Sequence, residues 1–208
     1  MDNRLESFIL AVDDFLFTGF ANTRHAPLPT QEENNEPCHE TTRKHTARLM
    51  RINHVGEVCA QGLYSGAKSV AKSPSTQLFL HQAQKDELTH LSWCNIRLEQ
   101  LDGRASHLTP LYYITSFAMG ACAGLLGDEF SLGFVVETER QVEAHLNTHL
   151  EDISHLDTMT YDTLKAMQED EKRHADTAEN LGSYEITPAL KTAMSQIAGL
   201  MKKVSYYI

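Results

Sequence analysis

Glu87-Leu88-Thr89-His90 and Glu171-Lys172-Arg173-His174 are two copies of one pattern, E-x-x-H, and each follows a lone glutamate, Glu57 or Glu139, about a helix-length earlier. Residues three apart on an α-helix project from one face, so each tetrapeptide offers a carboxylate and an imidazole to a single point. The separations are similar: Glu87 is 30 positions after Glu57, and Glu171 is 32 positions after Glu139. Such a spacing fits a helix, a turn and part of the next helix. The chain therefore reads as two helical hairpins, each supplying half of one site. Four carboxylates and two imidazoles meeting between four helices can hold a pair of metal ions.

A single E-x-x-H is common on solvated helix faces, and only its surroundings separate a ligand from a surface pair. Here the surroundings are apolar. Met50 and Tyr64 lie seven residues either side of Glu57, Leu80 and Cys94 either side of Glu87, Leu132 and Leu146 either side of Glu139, and Leu164 and Ala178 either side of Glu171. Seven residues is about two helical turns, so these positions share the carboxylates' faces. Carboxylates taken out of water are tolerable only when cations or protons neutralise them. Two divalent metals offset four carboxylates, and the histidines ligate as neutral bases. The ligand set is that of a ferritin-like di-metal carboxylate centre. Mixed carboxylate and imidazole ligation suits iron or manganese better than structural zinc, and a reduced iron pair can activate O₂. Asp86 and Asp170 precede each motif and are candidates to accept the second N–H of the metal-bound imidazoles. Glu143, one turn after Glu139, is an alternative ligand at that position; symmetry of spacing favours Glu139.

At 208 residues the chain fits one domain with a core large enough to enclose such a site. A net charge of −10 provides no basic field for nucleic acid. Cys38, Cys59, Cys94 and Cys122 form no C-x-x-C, which suits a reducing compartment, with at least three of them expected as small buried residues on helices. His25, His39, His45 and His81 are expected at the surface or as caps. No secretory signal is visible, the acidic residues near the N-terminus argue against a transit peptide, and there is no Walker, G-x-G-x-x-G or G-x-S-x-G motif.

The elements that must position the six groups are all helical. Apolar periodicity predicts helices over about Ala47–Lys72, Ser75–Leu101, Pro110–Leu126, Asp128–Ile153, Asp157–Leu181 and Pro188–Tyr206. Gly103 and Gly182 suit helix stops, and Thr109-Pro110 and Thr187-Pro188 pair an N-cap with a first-turn proline. Leu5, Phe8, Ile9, Val12, Phe15 and Leu16 predict a further amphipathic helix, followed by an arm rich in proline and acid. The expected division is 1–46, amphipathic helix and arm, and 47–208, a ferritin-like domain. Leu108 to Gly127 carries no charge and reads as a membrane span, a buried connector or a helix at a membrane surface. A span would put Glu57 and Glu87 on the opposite side from Glu139 and Glu171, which rules it out. The last helix has an apolar face at Leu190, Met194, Ile197, Leu200, Met201 and Val204 with Lys202, Lys203, Tyr206 and Tyr207 at its end, a pattern fitting either an interfacial helix or a cap on the bundle.

Five ordered stretches resemble one family: Leu49-Met50-Arg51-Ile52-Asn53-His54-Val55-Gly56-Glu57, Asp86-Glu87-Leu88-Thr89-His90, Gly120-Ala121-Cys122-Ala123-Gly124-Leu125-Leu126-Gly127, Val136-Glu137-Thr138-Glu139 and Asp170-Glu171-Lys172-Arg173-His174. Together they resemble the demethoxyubiquinone hydroxylases, the Coq7-type di-iron monooxygenases of ubiquinone biosynthesis, from about Arg48 to the C-terminus. The resemblance implies an all-α, ferritin-like four-helix bundle with extra crossover and interfacial helices. It implies two iron ions per chain on Glu57, Glu87, His90, Glu139, Glu171 and His174, with O₂ as co-substrate. The substrate it implies is 2-polyprenyl-3-methyl-6-methoxy-1,4-benzoquinol, hydroxylated on the ring. Electrons would come from the quinol, from NADH or from a partner protein. A peripheral place on the cytoplasmic side of the cell membrane, contact with other ubiquinone-biosynthesis proteins and a homo-oligomer are further implications. His145 falls where the family has a histidine suspected of helping substrate oxidation, although it lies off the Glu139 face. The competing expectation is an iron-oxidising storage protein of the ferritin or bacterioferritin type.

Overall fold

The structure, a computed structural model, describes residues 26–30, 39–153 and 157–208. The expected helix at Leu5–Leu16, His25 and Cys38 lie outside the described residues. Six helices follow one another: α1 Glu40–Val70, α2 Pro74–Gln100, α3 Thr109–Leu125, α4 Asp128–Ile153, α5 Thr158–Asn180 and α6 Pro188–Ser205. No strand occurs among the described residues. The fold is all-α, a ferritin-like helical bundle.

Five of the six helices agree with the periodicity to within one residue at each end. The exception is α1, which begins seven residues before Ala47. Its first turn is polar and exposed, held by Glu40 pairing with Arg43 at 2.6 Å and with Lys44 at 2.9 Å, so no apolar rhythm marks it. Two threonines do not cap as expected. Thr187 is an N-cap residue whose side chain makes no capping bond, and Thr109 sits inside α3, its hydroxyl donating to the Ser106 carbonyl at 2.7 Å. At the end of α2 the left-handed residue is Asp102 (φ 53°), not Gly103. Asp102 N–H bonds to Glu99 O at 3.1 Å and Gly103 N–H to Leu98 O at 2.7 Å, the paired closure that satisfies the last carbonyls.

Helices α1 and α2 form one hairpin, α4 and α5 the other. The hairpins are tied at both ends. At one, the Asp128 carboxylate at the start of α4 accepts the Ser73 N–H at 2.6 Å and the Lys72 N–H at 3.1 Å. At the other, Arg97 of α2 is buried and reaches Asp157, the N-cap of α5, at 2.6 Å and the Thr160 hydroxyl at 3.0 Å. Helix α3 crosses between the hairpins and lies along α1. Gly62, Gly66, Gly120 and Gly124 make that approach possible: a Cβ on Gly66 would strike the Phe117 carbonyl oxygen, and one on Gly120 the Leu63 carbonyl oxygen. The backbones meet there with no side chain between them.

Two apolar layers bracket the middle of the bundle. One contains Met50, Cys94, Leu146 and Leu164; the other contains Tyr64, Leu80, Leu132 and Ala178. These are the eight residues seven positions before or after Glu57, Glu87, Glu139 and Glu171, so the antiparallel hairpins stack four like-numbered steps above the glutamates and four below. Burying a large side chain in such a layer contributes roughly 1.5–3 kcal/mol. The layers keep water from the space between them.

The outer face of α3 exposes Leu111, Ile114, Met119, Leu125 and Leu126, and α6 exposes Ile197 and Leu200, followed by Tyr207 and Ile208. Helix α3 is therefore only half a buried connector, glycine-packed on one side and apolar toward the outside on the other. No described helix is long and apolar enough to cross a membrane. Tyr206 does not sit at the outer margin of α6: its hydroxyl bonds to His45 at 2.9 Å and its ring lies under Arg48, docking the end of α6 on α1. Of the cysteines expected to be buried, Cys94 is, Cys59 is half-buried and Cys122 is exposed on the outward side of α3.

Candidate di-metal site

Between the two apolar layers, the six singled-out side chains come together. Glu57 comes from α1, Glu87 and His90 from α2, Glu139 from α4, and Glu171 and His174 from α5. All six are buried, none more than 3 % exposed. They form two overlapping groups of donors, Glu57, Glu87, His90 and Glu171 in one, and Glu87, Glu139, Glu171 and His174 in the other, the donor atoms within each lying within 4.8 Å of one another. Glu87 and Glu171 belong to both. Two ions held there would share Glu87 and Glu171, with one further glutamate and one histidine apiece.

Both imidazoles turn Nδ1 inward. His90 Nδ1 lies 3.1 Å from Glu87, 3.4 Å from Glu171 and 3.5 Å from Glu57; His174 Nδ1 lies 3.1 Å from Glu87 and 3.7 Å from Glu171. Both turn Nε2 outward to an aspartate of the opposite hairpin, His90 to Asp170 at 3.0 Å and His174 to Asp86 at 3.1 Å. The aspartates expected as outer partners do meet imidazoles, but each serves the other repeat's histidine. A carboxylate on Nε2 fixes the proton there and leaves Nδ1 as the donor to a metal. Arg173 lies over both aspartates, bonded to Asp170 and 3.5 Å from Asp86.

Charge couples the six groups to one another. Burial, with Glu87 beside it, holds the Glu57 carboxyl well above the usual range, and burial together with Glu171 does the same for Glu139. Glu87 and Glu171 are as deeply buried, yet the neighbouring His174 and His90 outweigh that burial and pull both down. Burial opposes charge on the imidazoles as well, but Asp170 and the glutamates raise His90, and Glu171 and Glu87 push His174 up to about 11. Two divalent cations would offset the four carboxylates, with both histidines ligating as neutral bases. Four buried atoms, Glu57 Oε2, Glu87 Oε1, Glu171 Oε2 and His174 Nδ1, have no hydrogen-bond partner among the described residues. Buried oxygens and a ring nitrogen left unbonded around one space are what a metal would satisfy.

Glu143 is not in the cluster: it pairs with Arg140 at 3.3 Å and is partly exposed, while Glu139 is 1 % exposed. His145 is also elsewhere. It packs edge-on against His149, ring centroids 3.9 Å apart, in a surface groove of about 320 Å³ that Lys202 and Tyr207 also line. The sequence pattern missed one contact. Tyr64, read as an apolar stripe residue, donates its hydroxyl to Glu139. Its place one stripe step beyond Glu57 was visible in sequence; its reach across the bundle to α4 was not.

Comparison with known proteins agrees with this geometry. The family model described as ubiquinone biosynthesis protein COQ7 matches residues 44–205. The chain is 47 % identical over 203 residues to 3-demethoxyubiquinol 3-hydroxylase of Xanthomonas oryzae pv. oryzae (strain PXO99A), covering 97 % of this chain and 94 % of that protein. It is 45 % identical over 203 residues to the protein of the same name from Xanthomonas campestris pv. campestris (strain 8004), with the same coverage. The protein of that name from Acinetobacter baylyi (strain ATCC 33305 / BD413 / ADP1) is 44 % identical over 208 residues, 100 % of this chain and 97 % of its own. With the fold, the buried donor set and near-full-length relatives in agreement, the chain belongs to the ubiquinone biosynthesis protein COQ7 family.

Proposed function

We propose that this protein is a 3-demethoxyubiquinol 3-hydroxylase, an oxidoreductase that places oxygen from O₂ on the ring of a polyprenyl benzoquinol in ubiquinone biosynthesis. The observation that carries the reading is the pair of overlapping buried donor groups in a chain whose relatives bear that name over almost their whole length. Two iron ions would be held by Glu57, His90, Glu139 and His174 as terminal ligands and by Glu87 and Glu171 as bridges. When bound, the iron pair supplies Lewis acidity and the redox capacity to use O₂.

The chain's own residues do the rest. Asp86 and Asp170 hold the histidine Nε2 protons, so each Nδ1 stays aimed inward. The layers around Leu80, Leu132, Met50 and Leu164 exclude bulk water from the reacting centre. The exposed apolar faces of α3 and α6, with Lys203 and Tyr207 beside them, suit a helix pair resting in the interfacial zone of a bilayer, where a polyprenyl tail resides. A peripheral location on the cytoplasmic side of the cell membrane is part of the same proposal. The electron source, whether the quinol, NADH or a partner protein, stands as part of the same proposal. Iron storage of the ferritin type finds no support among the relatives.

Lipid extraction from a strain deleted for this protein tests the proposal. Accumulated demethoxyquinone that the wild-type chain removes, and a Glu171→Ala chain does not, is the expected result. A deletion strain with unchanged quinone composition would refute it.

A further inference from the structure

The two halves of the donor set are not equal, and the difference is a single hydroxyl. Tyr64 is fully buried, its ring in the apolar layer with Leu80, Leu132 and Val135, and its hydroxyl donates to Oε1 of Glu139. Glu57 occupies the matching place in the other half, but its polar neighbours among the described residues are members of the cluster, His90 at 3.5 Å and Glu87. Its Oε2 has no hydrogen-bond partner. The residue seven positions beyond Glu57 is Tyr64, whereas those seven beyond Glu87, Glu139 and Glu171 are Cys94, Leu146 and Ala178. Of the eight bracketing positions seven residues from the glutamates, Tyr64 alone carries a hydroxyl.

We propose that Tyr64 is a positioning residue that makes the two metal positions inequivalent, by committing one oxygen of Glu139 to a hydrogen bond, whereas none of the bracketing residues sends a hydroxyl to Glu57. The inference rests on the di-metal reading above. A carboxylate fixed from behind loses rotational freedom and has a defined free oxygen, which strengthens binding at the position it serves; outer partners of this kind change metal affinity by about 10–100-fold. The position made by Glu139, Glu87, Glu171 and His174 depends on Tyr64, and the one made by Glu57, Glu87, Glu171 and His90 does not.

The test is a titration of metal-free protein with Co(II), read by visible absorption and by calorimetry, on wild type, Tyr64→Phe, Glu139→Ala and the double variant. The wild type should bind in two resolved steps. Tyr64→Phe removes one oxygen and keeps the ring; it should weaken one step by about tenfold or more and change that ion's absorption band, leaving the other step within about twofold. In the Glu139→Ala background the same change should have no effect on Co(II) binding, because the carboxylate it acts on is gone. Equal weakening of both steps, or an undiminished effect in the Glu139→Ala background, would overturn the proposal in favour of general packing. Two Co(II) bound with no difference between wild type and Tyr64→Phe would overturn it while leaving the di-metal reading intact. A wild type that binds no Co(II) would overturn both.

Discussion

The two hairpins deliver the same three ligands in the same order, yet they stand in different surroundings. The first, α1 with α2, is covered by α3 through four glycines and contributes Tyr64. In the second, α4 with α5, the close backbone approach is that of Tyr184 to Gly133, and the terminal glutamate receives the other half's hydroxyl. Repetition of a motif therefore brings the same donor groups to the centre from each half, while what lies outside the motif sets each half's surroundings. The aspartates show the opposite tendency: exchanged between hairpins, they make each histidine's orientation depend on the other repeat.

Removing a shared ligand should erase the comparison altogether. Glu87→Ala and Glu171→Ala should each lower hydroxylation by about a thousandfold or more and lose both ions, since each serves both positions. Glu57→Ala and Glu139→Ala should weaken one position more than the other, as read by metal content per chain. Next in size, Asp86→Asn should loosen the ion at His174 and Asp170→Asn the one at His90, each by about 10–100-fold in affinity, with helical content unchanged. Assigning the affected ion by spectroscopy checks the exchange between hairpins.

Gly66→Ala and Gly120→Ala test the cover of the first half. Each should cost about 1–3 kcal/mol, seen as a lower melting temperature, because α3 must lift away from α1. The smallest effect separates histidines inside the cluster from those outside. Burial lowers His54 to about 4 and, with Lys202 nearby, His149 to about 4. A group depressed on folding binds its proton more readily in the unfolded chain, so its stabilisation is full above the unfolded value near 6.5 and is lost as pH falls toward 4. Unfolding of His54→Gln against wild type between those limits should show a slope smaller by about 1.4 kcal/mol per pH unit.

The convergence of the six side chains was legible because the helical period is strict: positions 50, 57 and 64, and their counterparts on α2, α4 and α5, fall on one face by geometry alone. Glu139 over Glu143 followed from symmetry, and burial separates them in the structure. The start of α1 was not legible, since Glu40, Arg43 and Lys44 stabilise a polar turn that no apolar rhythm marks. Nor was the partner of each aspartate, because Asp86 and Asp170 gain their histidines only when α2 and α5 pack side by side. Tyr64 stayed hidden for a related reason: a tyrosine in an apolar stripe looks like core, and which carboxylate its hydroxyl meets depends on the opposite helix. Resemblance to the family supplied the substrate and the iron, which residue spacing alone leaves open between several metals and reactions.

Everything rests on two ions sharing Glu87 and Glu171. Crystals of the protein loaded anaerobically with Fe(II), measured on both sides of the iron absorption edge, test that directly. The account predicts two anomalous peaks, one among Glu57, Glu87, His90 and Glu171 and one among Glu87, Glu139, Glu171 and His174. A single peak, none, or iron bound elsewhere with the six side chains still paired to one another would contradict it.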